Sequence, residues 1–222
     1  MKNFRYPFFS PVTGRLEQKY LKNALDSNYL NEGNFTKKFE NILKKKLKSK
    51  YIVCTTSCTA ALFLSLKALG VKFGDEVIVP NFTFGATANA VNLCNAKSVL
   101  VDVNLSDLNV DINKVSRAIT RKTKAIIPVH VAGRPADMSR LKKICKRKKI
   151  FIVEDAAEAF MSKHRNKYLG TFGDIGCFSL TASKIITSGQ GGFIATNSLK
   201  IVKKIKKLKN QGIEGVSTGG NV

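Results

Sequence analysis

Apolar residues in the first fifty positions recur at helical spacing. They run from Leu16 to Leu25 and from Phe35 to Leu47, and the turn-forming segment NYLNEGN separates the two runs. This spacing predicts two amphipathic helices. From Tyr51 onward the pattern changes, because short apolar runs of strand length begin to alternate with further helical patterns.

The alternation continues to residue 153 and indicates the fold class. Strands are predicted at 51–54, 76–79, 98–101, 125–129 and 150–153, and helices at 59–69, 86–93, 112–119 and 138–148. Such a rhythm is typical of an α/β domain with a mostly parallel sheet, in which ligands bind at the carboxyl ends of the strands. After it come a loop at 170–176, a short strand at 177–180, a glycine-rich turn at 189–192, a strand at 193–196 and a last helix at 199–209.

Chain length and hydrophobic content set the expected domain organisation. With 222 residues, of which 44% are hydrophobic, the chain is long enough for one α/β domain with a sizeable core. We expect residues 1–34 to form an N-terminal segment and helix that pack on this domain, and residues 35–212 to form the domain itself. The glycine-containing segment 213–222 is predicted to be a flexible tail.

The net charge is strongly positive. It is +23, from 38 Lys and Arg residues against 15 Asp and Glu residues, and such a charge favours anionic partners at low salt. The basic residues lie in runs, Lys44 to Lys46, Lys142 to Lys149 and Lys203 to Lys209, interleaved with Leu and Ile at helical spacing. We interpret these runs as solvated helix faces and not as a nucleic-acid groove, because aromatic interleaving and RNA-binding or zinc signatures are absent from the sequence.

Cysteine usage and the amino-terminal sequence bear on the compartment. Five cysteines at irregular spacing, with no C-x-x-C pair and only two histidines, predict a reducing environment and no structural zinc. Pro7 and Pro11 break the apolar stretch near the start, which is therefore too short for a signal peptide. No run of about 18 apolar residues is present for a membrane span. We therefore expect a cytoplasmic protein with no membrane partner.

At the ends of two predicted strands lie residues that could bind a phosphate group in one case and a cation in the other. Small hydroxyl residues fill TTSCTAA, residues 55–61, between a strand and a helix, where free N–H groups bind phosphate. The alternative is an ordinary helix N-cap. Asp155 follows a buried apolar strand, where a carboxylate needs a hydrogen-bonding or cationic partner such as a protonated pyridine nitrogen. Its alternative role is to cap the following helix.

A lysine and an aromatic residue complete the candidates. Lys184 lies between a short apolar strand and a glycine-rich turn, five positions after Ser179. A lysine that is buried or flanked by cations loses its proton more easily and forms an imine with an aldehyde. Phe84 lies at the start of a predicted helix after Pro80, where its ring can stack on a heteroaromatic group. Plain core packing is the alternative for this ring.

These segments occur in the order and approximate spacing of the DegT/DnrJ/StrS family of pyridoxal-phosphate (PLP)-dependent sugar aminotransferases, which the chain resembles from Tyr29 to Gly212. YLNEGNFTKKFE resembles the family's entry motif, TTSCTAAL its phosphate segment and GDEVIVPNFTFGATANAV its ring-stacking segment. IPVHVAGRPADM with VEDAAEA resembles the aspartate segment, and GTFGDIGCFSLTASKIITSGQGGFIAT the lysine segment. The resemblance implies the large domain of a fold-type-I PLP-dependent transferase, a three-layer α/β sandwich with a mostly parallel central sheet.

The resemblance also implies roles for individual residues. Lys184 matches the catalytic lysine that binds the PLP aldehyde, Asp155 the partner of the pyridine nitrogen, and Phe84 the stacking aromatic. Glu158 stands near the ring's 3-hydroxyl, where many members have Gln. No metal is implied. The residues that match the phosphate site are Ser57, Cys58, Thr59 and Ser179.

The activity that the resemblance implies is transfer of an amino group, from glutamate, to a nucleotide-linked keto sugar for surface polysaccharide or lipopolysaccharide biosynthesis. The family works as homodimers with sites at the subunit interface. Glu158 and GTFGDIGCFS look most like the branch similar to perosamine synthases, which aminate a GDP-linked 4-keto-6-deoxy sugar. Lys184 differs from the His that replaces this lysine in dehydratases of the family.

Three departures from the family pattern open an alternative. Cys58 replaces the usual Gly of the phosphate turn, and Gln190 replaces the usual Glu of GEGG. The chain also ends soon after the large domain, so the family's C-terminal small domain is expected to be absent. The alternative is a truncated, inactive PLP-fold protein that acts as a basic binding or scaffold protein.

Overall fold

A seven-stranded sheet forms the centre of the molecule, with helices on both of its faces. The computed structural model describes residues 9–212. Its strands are β1 (Tyr51–Thr55), β2 (Glu76–Pro80), β3 (Lys97–Val101), β4 (Thr123–Ile126), β5 (Phe151–Asp155), β6 (Lys163–His164), β7 (Lys167–Tyr168), β8 (Ile175–Ser179) and β9 (Gly192–Thr196). Its α-helices are α1 (Arg15–Asp26), α2 (Asn34–Leu47), α3 (Cys58–Ala68), α4 (Ala86–Asn92), α5 (Ile112–Ala118), α6 (Met138–Lys148) and α7 (Leu199–Lys209).

The strand order across the sheet is β1-β9-β8-β5-β4-β2-β3. β9 runs antiparallel to both of its neighbours, β1 and β8, whereas the strands from β8 to β3 run parallel. Parallel neighbours need crossover connections, and the helices that make these connections cover the two faces of the sheet. The predicted α/β domain with a mostly parallel central sheet is therefore confirmed.

Successive residues of each strand contribute to cores on opposite faces of the sheet, because side chains alternate along a strand. In β2, Val77 and Val79 pack in the core that α3, α4 and α7 cover, whereas Ile78 packs in the core that α5 and α6 cover. On that second face, Phe178 of β8 packs with Leu43 of α2. The molecule consequently has three layers: helices, sheet and helices.

The basic runs of the sequence lie on amphipathic helices. α6 buries Met138, Leu141 and Cys145, while all of its Lys and Arg side chains are exposed. α7 likewise buries Val202 and Ile205 and exposes most of its lysines. These runs are therefore solvated helix faces, as their spacing predicts.

The hairpin of β6 and β7 is an element that the sequence did not predict. Each strand has only two residues, and they include Lys163, His164 and Lys167, so no apolar alternation marks them. The turn between them places Arg165 and Asn166 at positive φ, 47° and 61°. A two-residue hairpin turn whose twist matches that of its strands requires positive φ at both of its central residues.

The described residues before α2, 9–33, make few contacts with the sheet. α1 buries none of its side chains, although Lys38 of α2 lies 5.7 Å above the ring of Tyr20 of α1. The packing of residues 1–34 on the domain stays a prediction, as does the 35–212 boundary, and the predicted tail at 213–222 lies outside the described residues. Within 9–212, no helix has both the length and the apolar character to cross a membrane.

Candidate active site

The carboxyl ends of β1, β5 and β8 and the amino end of β9 meet at one edge of the sheet. Gly192, the first residue of β9, pairs with Thr55 of β1 on one side and with Ser179 of β8 on the other. A Cβ atom built at Gly192 would lie 2.6 Å from the backbone nitrogen of Cys58. Only glycine therefore lets β9 start directly against the first turn of α3, and the start of α3 lies beside the end of β8.

The first turn of α3 offers unused hydrogen-bond donors to this edge. Ser57 is the N-cap, and its Oγ accepts a hydrogen bond from the N–H of Ala60 at 3.1 Å. The N–H groups of Cys58 and Thr59 have no acceptor inside the helix, because the first N–H groups of any α-helix lack one. The N-cap interpretation of Ser57 is thus correct. The turn still has two amides and the positive end of the helix dipole available for an anion.

Ser179 lies at the end of β8 with a buried side chain. Its Oγ accepts a hydrogen bond from the N–H of Thr181 at 3.4 Å, which shapes the start of the loop to β9. The Oγ1 of Thr181 in turn donates to Oε1 of Gln190 at 3.4 Å across the same loop. Gln190, one of the departures from the family pattern, is exposed and contributes to the loop's shape.

Asp155 is a buried carboxyl group at the end of β5. Its Oδ2 accepts a hydrogen bond from the hydroxyl of Thr87 at 2.8 Å, and its Oδ1 accepts one from the N–H of Ala157 at 3.1 Å. Burial raises the pKa of Asp155, and the two hydrogen bonds and the charge of Lys184 oppose this rise. The helix-cap alternative is wrong, because turns and not a helix follow Asp155.

Lys184 lies on the loop between β8 and β9, with its side chain 23% exposed. Its Nζ donates to Oε1 of Glu158 at 3.4 Å, and the other carboxylate oxygen, Oε2, accepts the N–H of Ala132 at 2.9 Å. The charge of Lys184 opposes the rise that burial causes in the pKa of Asp155 and in that of the Cys58 thiol. Lys184 therefore interacts electrostatically with both the end of β5 and the start of α3.

Phe84 lies in the loop before α4, and its side chain is 84% exposed. The carbonyl oxygen of Phe84 accepts the N–H of Thr87, at 3.1 Å, and Thr87 is the residue whose hydroxyl contacts Asp155. The core-packing alternative for Phe84 is therefore wrong. The ring is free of the core and its stacking role stays a prediction.

A buried pair behind the site was not singled out from the sequence. His130 and Glu154 are both 0% exposed, and Nε2 of His130 lies 2.8 Å from Oε2 of Glu154. Nδ1 of His130 accepts the N–H of Ala136 at 3.2 Å, so the ring proton is on Nε2 and is donated to Glu154. Glu154 also accepts the N–H groups of Gly170 and Gly173, at 2.9 Å and 2.6 Å. In the sequence, the only sign of this pair is that two carboxylates, Glu154 and Asp155, follow directly on the apolar run 150–153.

The same edge has little capacity for a metal ion. Among residues 9–212, no group of three or more His, Cys, Asp and Glu side chains is placed to hold one. The five cysteines are free thiols, and burial raises the pKa of Cys177 in β8 well above its usual range. The donor set that converges here consists of hydroxyls, amides, one buried carboxyl group and one lysine. Such a set suits an anion joined to a cationic ring and an aldehyde.

Comparison with known proteins identifies relatives along nearly the whole chain. A model described as the DegT/DnrJ/EryC1/StrS aminotransferase family matches residues 11–221. GDP-perosamine synthase of Escherichia coli O157:H7 is 38% identical over 208 residues, which are 93% of this chain and 57% of that protein. The spore coat polysaccharide biosynthesis protein SpsC of Bacillus subtilis (strain 168) is 35% identical over 212 residues, 96% of this chain and 54% of that protein. The chain thus spans about half the length of the curated relatives it matches.

Solved structures support the same assignment. The crystal structure of a GDP-4-keto-6-deoxymannose-3-dehydratase with a trapped PLP-glutamate geminal diamine superposes with a TM-score of 0.89 at 32% identity. The match covers 94% of this chain and 55% of that one. Since the family model covers almost the full sequence and the fold agrees, the chain belongs to the DegT/DnrJ/EryC1/StrS aminotransferase family.

Proposed function

We propose that this chain is the PLP-binding part of a sugar aminotransferase, which transfers an amino group from glutamate to the keto group of a nucleotide-linked sugar. One observation carries the proposal. Asp155 at the end of β5 pairs with Cys177 of β8, Gly192 of β9 pairs with both Thr55 and Ser179, and Nζ of Lys184 lies 3.4 Å from Glu158 in the turn after β5. This geometry supports a common site for the phosphate, the ring nitrogen and the aldehyde of PLP. When bound, PLP supplies a pyridine ring that acts as an electron sink.

The residues at this edge fit the three chemical parts of PLP. The phosphate would be held by the first-turn N–H groups of α3 with the hydroxyls of Ser57, Thr59 and Ser179, because a helix N-terminus favours an anion. The ring nitrogen would be held by Asp155 and the ring face by Phe84. The aldehyde would be held by Lys184, with Glu158 near the ring's 3-hydroxyl.

Asp155 would keep a ring nitrogen protonated. Burial raises the pKa of its carboxyl group, so an isolated charge there is unfavourable. An adjacent cation reverses that preference, since an opposite charge stabilises the carboxylate in a desolvated site. The hydrogen bonds from Thr87 and Ala157 hold the carboxyl group in place for such a pair.

Lys184 would move protons at the substrate. A free amine at its Nζ accepts a proton from a carbon atom and returns it to another, as general base and then general acid. The side chain is only partly exposed, so this amine works with limited contact with bulk water. Glu158 is the carboxylate that lies within ion-pair distance of it among the described residues.

The finer assignments rest on the relatives. GDP-perosamine synthase, at 38% identity, supports a GDP-linked sugar, and the GDP-4-keto-6-deoxymannose-3-dehydratase supports a 4-keto-6-deoxy sugar as acceptor. The spore coat polysaccharide protein SpsC supports a place in surface polysaccharide synthesis. The dehydratase crystallised with PLP and glutamate supports glutamate as donor. We further propose a homodimer in the cytoplasm, where the five free thiols stay reduced.

The test is covalent trapping of PLP. The full chain is purified with PLP, its absorbance is recorded, it is reduced with borohydride, and the modified peptide is mapped by mass spectrometry. We expect the label on Lys184 and its loss in Lys184→Ala. A label on another lysine would overturn the site assignment. No label, together with tight and steeply salt-dependent DNA binding, would instead support the inactive basic scaffold.

A further inference from the structure

We infer that Glu158 is a latch on Lys184: its carboxylate holds the lysine ammonium in an ion pair that has to open before the amine reacts with PLP. The inference rests on the proposed function, because it concerns the same lysine. Its starting point is the contact of 3.4 Å between Nζ of Lys184 and Oε1 of Glu158. This contact joins the loop after β8 to the turn after β5.

Glu158 is itself fixed from a third segment of the chain. Its second oxygen, Oε2, accepts the N–H of Ala132 at 2.9 Å. Ala132 has a φ of 49°, a left-handed conformation that costs a non-glycine residue about 1–2 kcal/mol. The hydrogen bond from Ala132 to Glu158 offsets part of this cost. It stabilises the conformation of the turn and at the same time fixes the position of the carboxylate. The carboxylate therefore presents its free oxygen, Oε1, to Lys184.

The turn that fixes Glu158 is attached to the buried pair. The N–H of Gly133 donates to the carbonyl oxygen of His130 at 3.2 Å, and the His130 ring is locked by Glu154 and by the N–H of Ala136. A Cβ atom at position 133 would lie 2.8 Å from Oγ of Ser162, so the turn lies tightly against the segment that carries Glu158. The latch is therefore anchored on a rigid part of the molecule.

The other titratable groups near Lys184 do not replace Glu158. The charge of Lys184 acts on Asp155 and on the Cys58 thiol, and burial raises the pKa of both groups, which favours their neutral forms. Asp155 already accepts hydrogen bonds from Thr87 and Ala157. Glu158 is 47% exposed on its side chain and is the acidic group in direct contact with the ammonium.

The ion pair opposes the covalent step for a chemical reason. The ammonium of Lys184 must first release a proton to water, because only the neutral amine has the electron pair that attacks the aldehyde carbon. The amine then adds to that carbon, one water molecule leaves, and a carbon–nitrogen double bond replaces the carbonyl. Glu158 stabilises the ammonium and keeps Nζ near its own oxygen, so it stabilises the state before the reaction.

The test measures the first-order rate constant for covalent attachment of PLP to Lys184, at saturating PLP and at constant pH and salt. Samples are trapped with borohydride at timed intervals, and the Lys184 peptide is quantified by mass spectrometry. Glu158→Gln removes the charge but keeps an oxygen that can accept the N–H of Ala132. We expect it to raise the rate constant about two- to five-fold, the range that corresponds to a half-exposed ion pair.

Two further variants keep the result interpretable. Glu76→Gln makes the same substitution in a carboxylate 4.0 Å from Lys97, at the amino end of β2 on the opposite edge of the sheet, and its rate constant should equal that of the wild type. Glu158→Ala removes the charge together with the acceptor for Ala132, and it should also accelerate attachment. If only Glu158→Ala accelerates it, the shape of the turn and not the charge restrains Lys184, and the inference is wrong.

The outcomes separate the two proposals. If PLP attaches to Lys184 in the wild type and the Glu158→Gln rate constant is equal or lower, the latch is overturned and the proposed function stands. If PLP attaches nowhere in the wild type, or attaches to another lysine, the proposed function and the latch that rests on it are both overturned.

Discussion

Asp155 shows how a single residue can be prepared for a ligand before the ligand arrives. The carboxyl group is 5% exposed and accepts two hydrogen bonds, yet burial still raises its pKa. In the protein without a ligand, ionising this buried carboxyl group therefore costs free energy. A cationic partner removes that cost, so the environment of Asp155 favours a protonated ring over a neutral one.

The raised pKa of Asp155 predicts a pH dependence of stability. The pKa of this carboxyl group is higher in the folded chain than its ordinary value of 3.8, which holds in the unfolded chain. Its contribution to the free energy of unfolding is therefore complete below pH 3.8 and is lost as the pH rises through the folded-state pKa. Asp155→Asn cannot ionise. Without PLP, we expect the free energy of unfolding of the wild type to fall relative to that of Asp155→Asn from about pH 4 to neutral pH. Urea unfolding at several pH values measures this, and a constant difference would contradict it.

Gly192 has a steric role that decides where α3 begins relative to the sheet. In Gly192→Ala the new Cβ would lie 2.6 Å from the backbone nitrogen of Cys58 and 2.7 Å from the carbonyl oxygen of Phe178. Both are backbone atoms that cannot turn aside, so we expect a loss of about 1–3 kcal/mol in the free energy of unfolding, measured in urea.

A matched glycine supplies the control for this prediction. Gly85, before α4, has a φ of −52°, and the nearest atom to a Cβ built there is 3.9 Å away. Gly85→Ala should stabilise the chain by about 0.4–1 kcal/mol, since the unfolded state loses conformational freedom. Equal effects of the two substitutions would rule out the steric explanation at Gly192.

At the scale of elements, β5 serves two faces of the sheet with two successive carboxylates. Asp155 contacts Thr87 of α4, on the face that α3 and α4 cover. Glu154 contacts His130 and the amides of Gly170 and Gly173. The period of two in a strand requires this division. β5 thereby fixes the loop before β8 and presents Asp155 to the site.

Glu154→Gln should destabilise the chain strongly. Glu154 accepts hydrogen bonds from three donors, and a Gln amide would direct its own N–H₂ group at one or more of them. A hydrogen bond to a charged acceptor contributes about 1.5–3 kcal/mol, and the substitution weakens or breaks at least one of the three. Urea unfolding measures the loss. The same substitution at the exposed Glu17 of α1 should leave the unfolding midpoint unchanged, and a comparable loss there would contradict the explanation.

Elements formed by local interactions were the ones that the sequence predicted well. α6 begins and ends as its apolar spacing and basic last turn indicate, and α3 begins after its serine cap. β4 ends at Ile126, three residues before the predicted end, because the following segment makes only single backbone hydrogen bonds and an isolated bridge, Val129 to Asp155, and no continuous ladder. Strand ends depend on a neighbour that the local sequence does not contain.

At the scale of the whole molecule, the site is assembled from parts that lie far apart in the chain. Ser57 and Asp155 come from two separate segments and Ser179 and Lys184 from a third, and the sheet order β1-β9-β8-β5 brings these three segments to one edge. The basic helices α2, α6 and α7 carry most of the excess charge.

Local pattern in the sequence determined the helices, the strands of the parallel sheet, the serine cap of α3 and the family resemblance, because each depends on residues that are close together in the chain. Tertiary structure alone decided the antiparallel position of β9, the buried contact of His130 with Glu154, the bond from Thr87 to Asp155 and the ion pair of Glu158 with Lys184. Each of these joins residues distant in sequence. Their approach is fixed by how strands pair and cores pack, which no local spacing records.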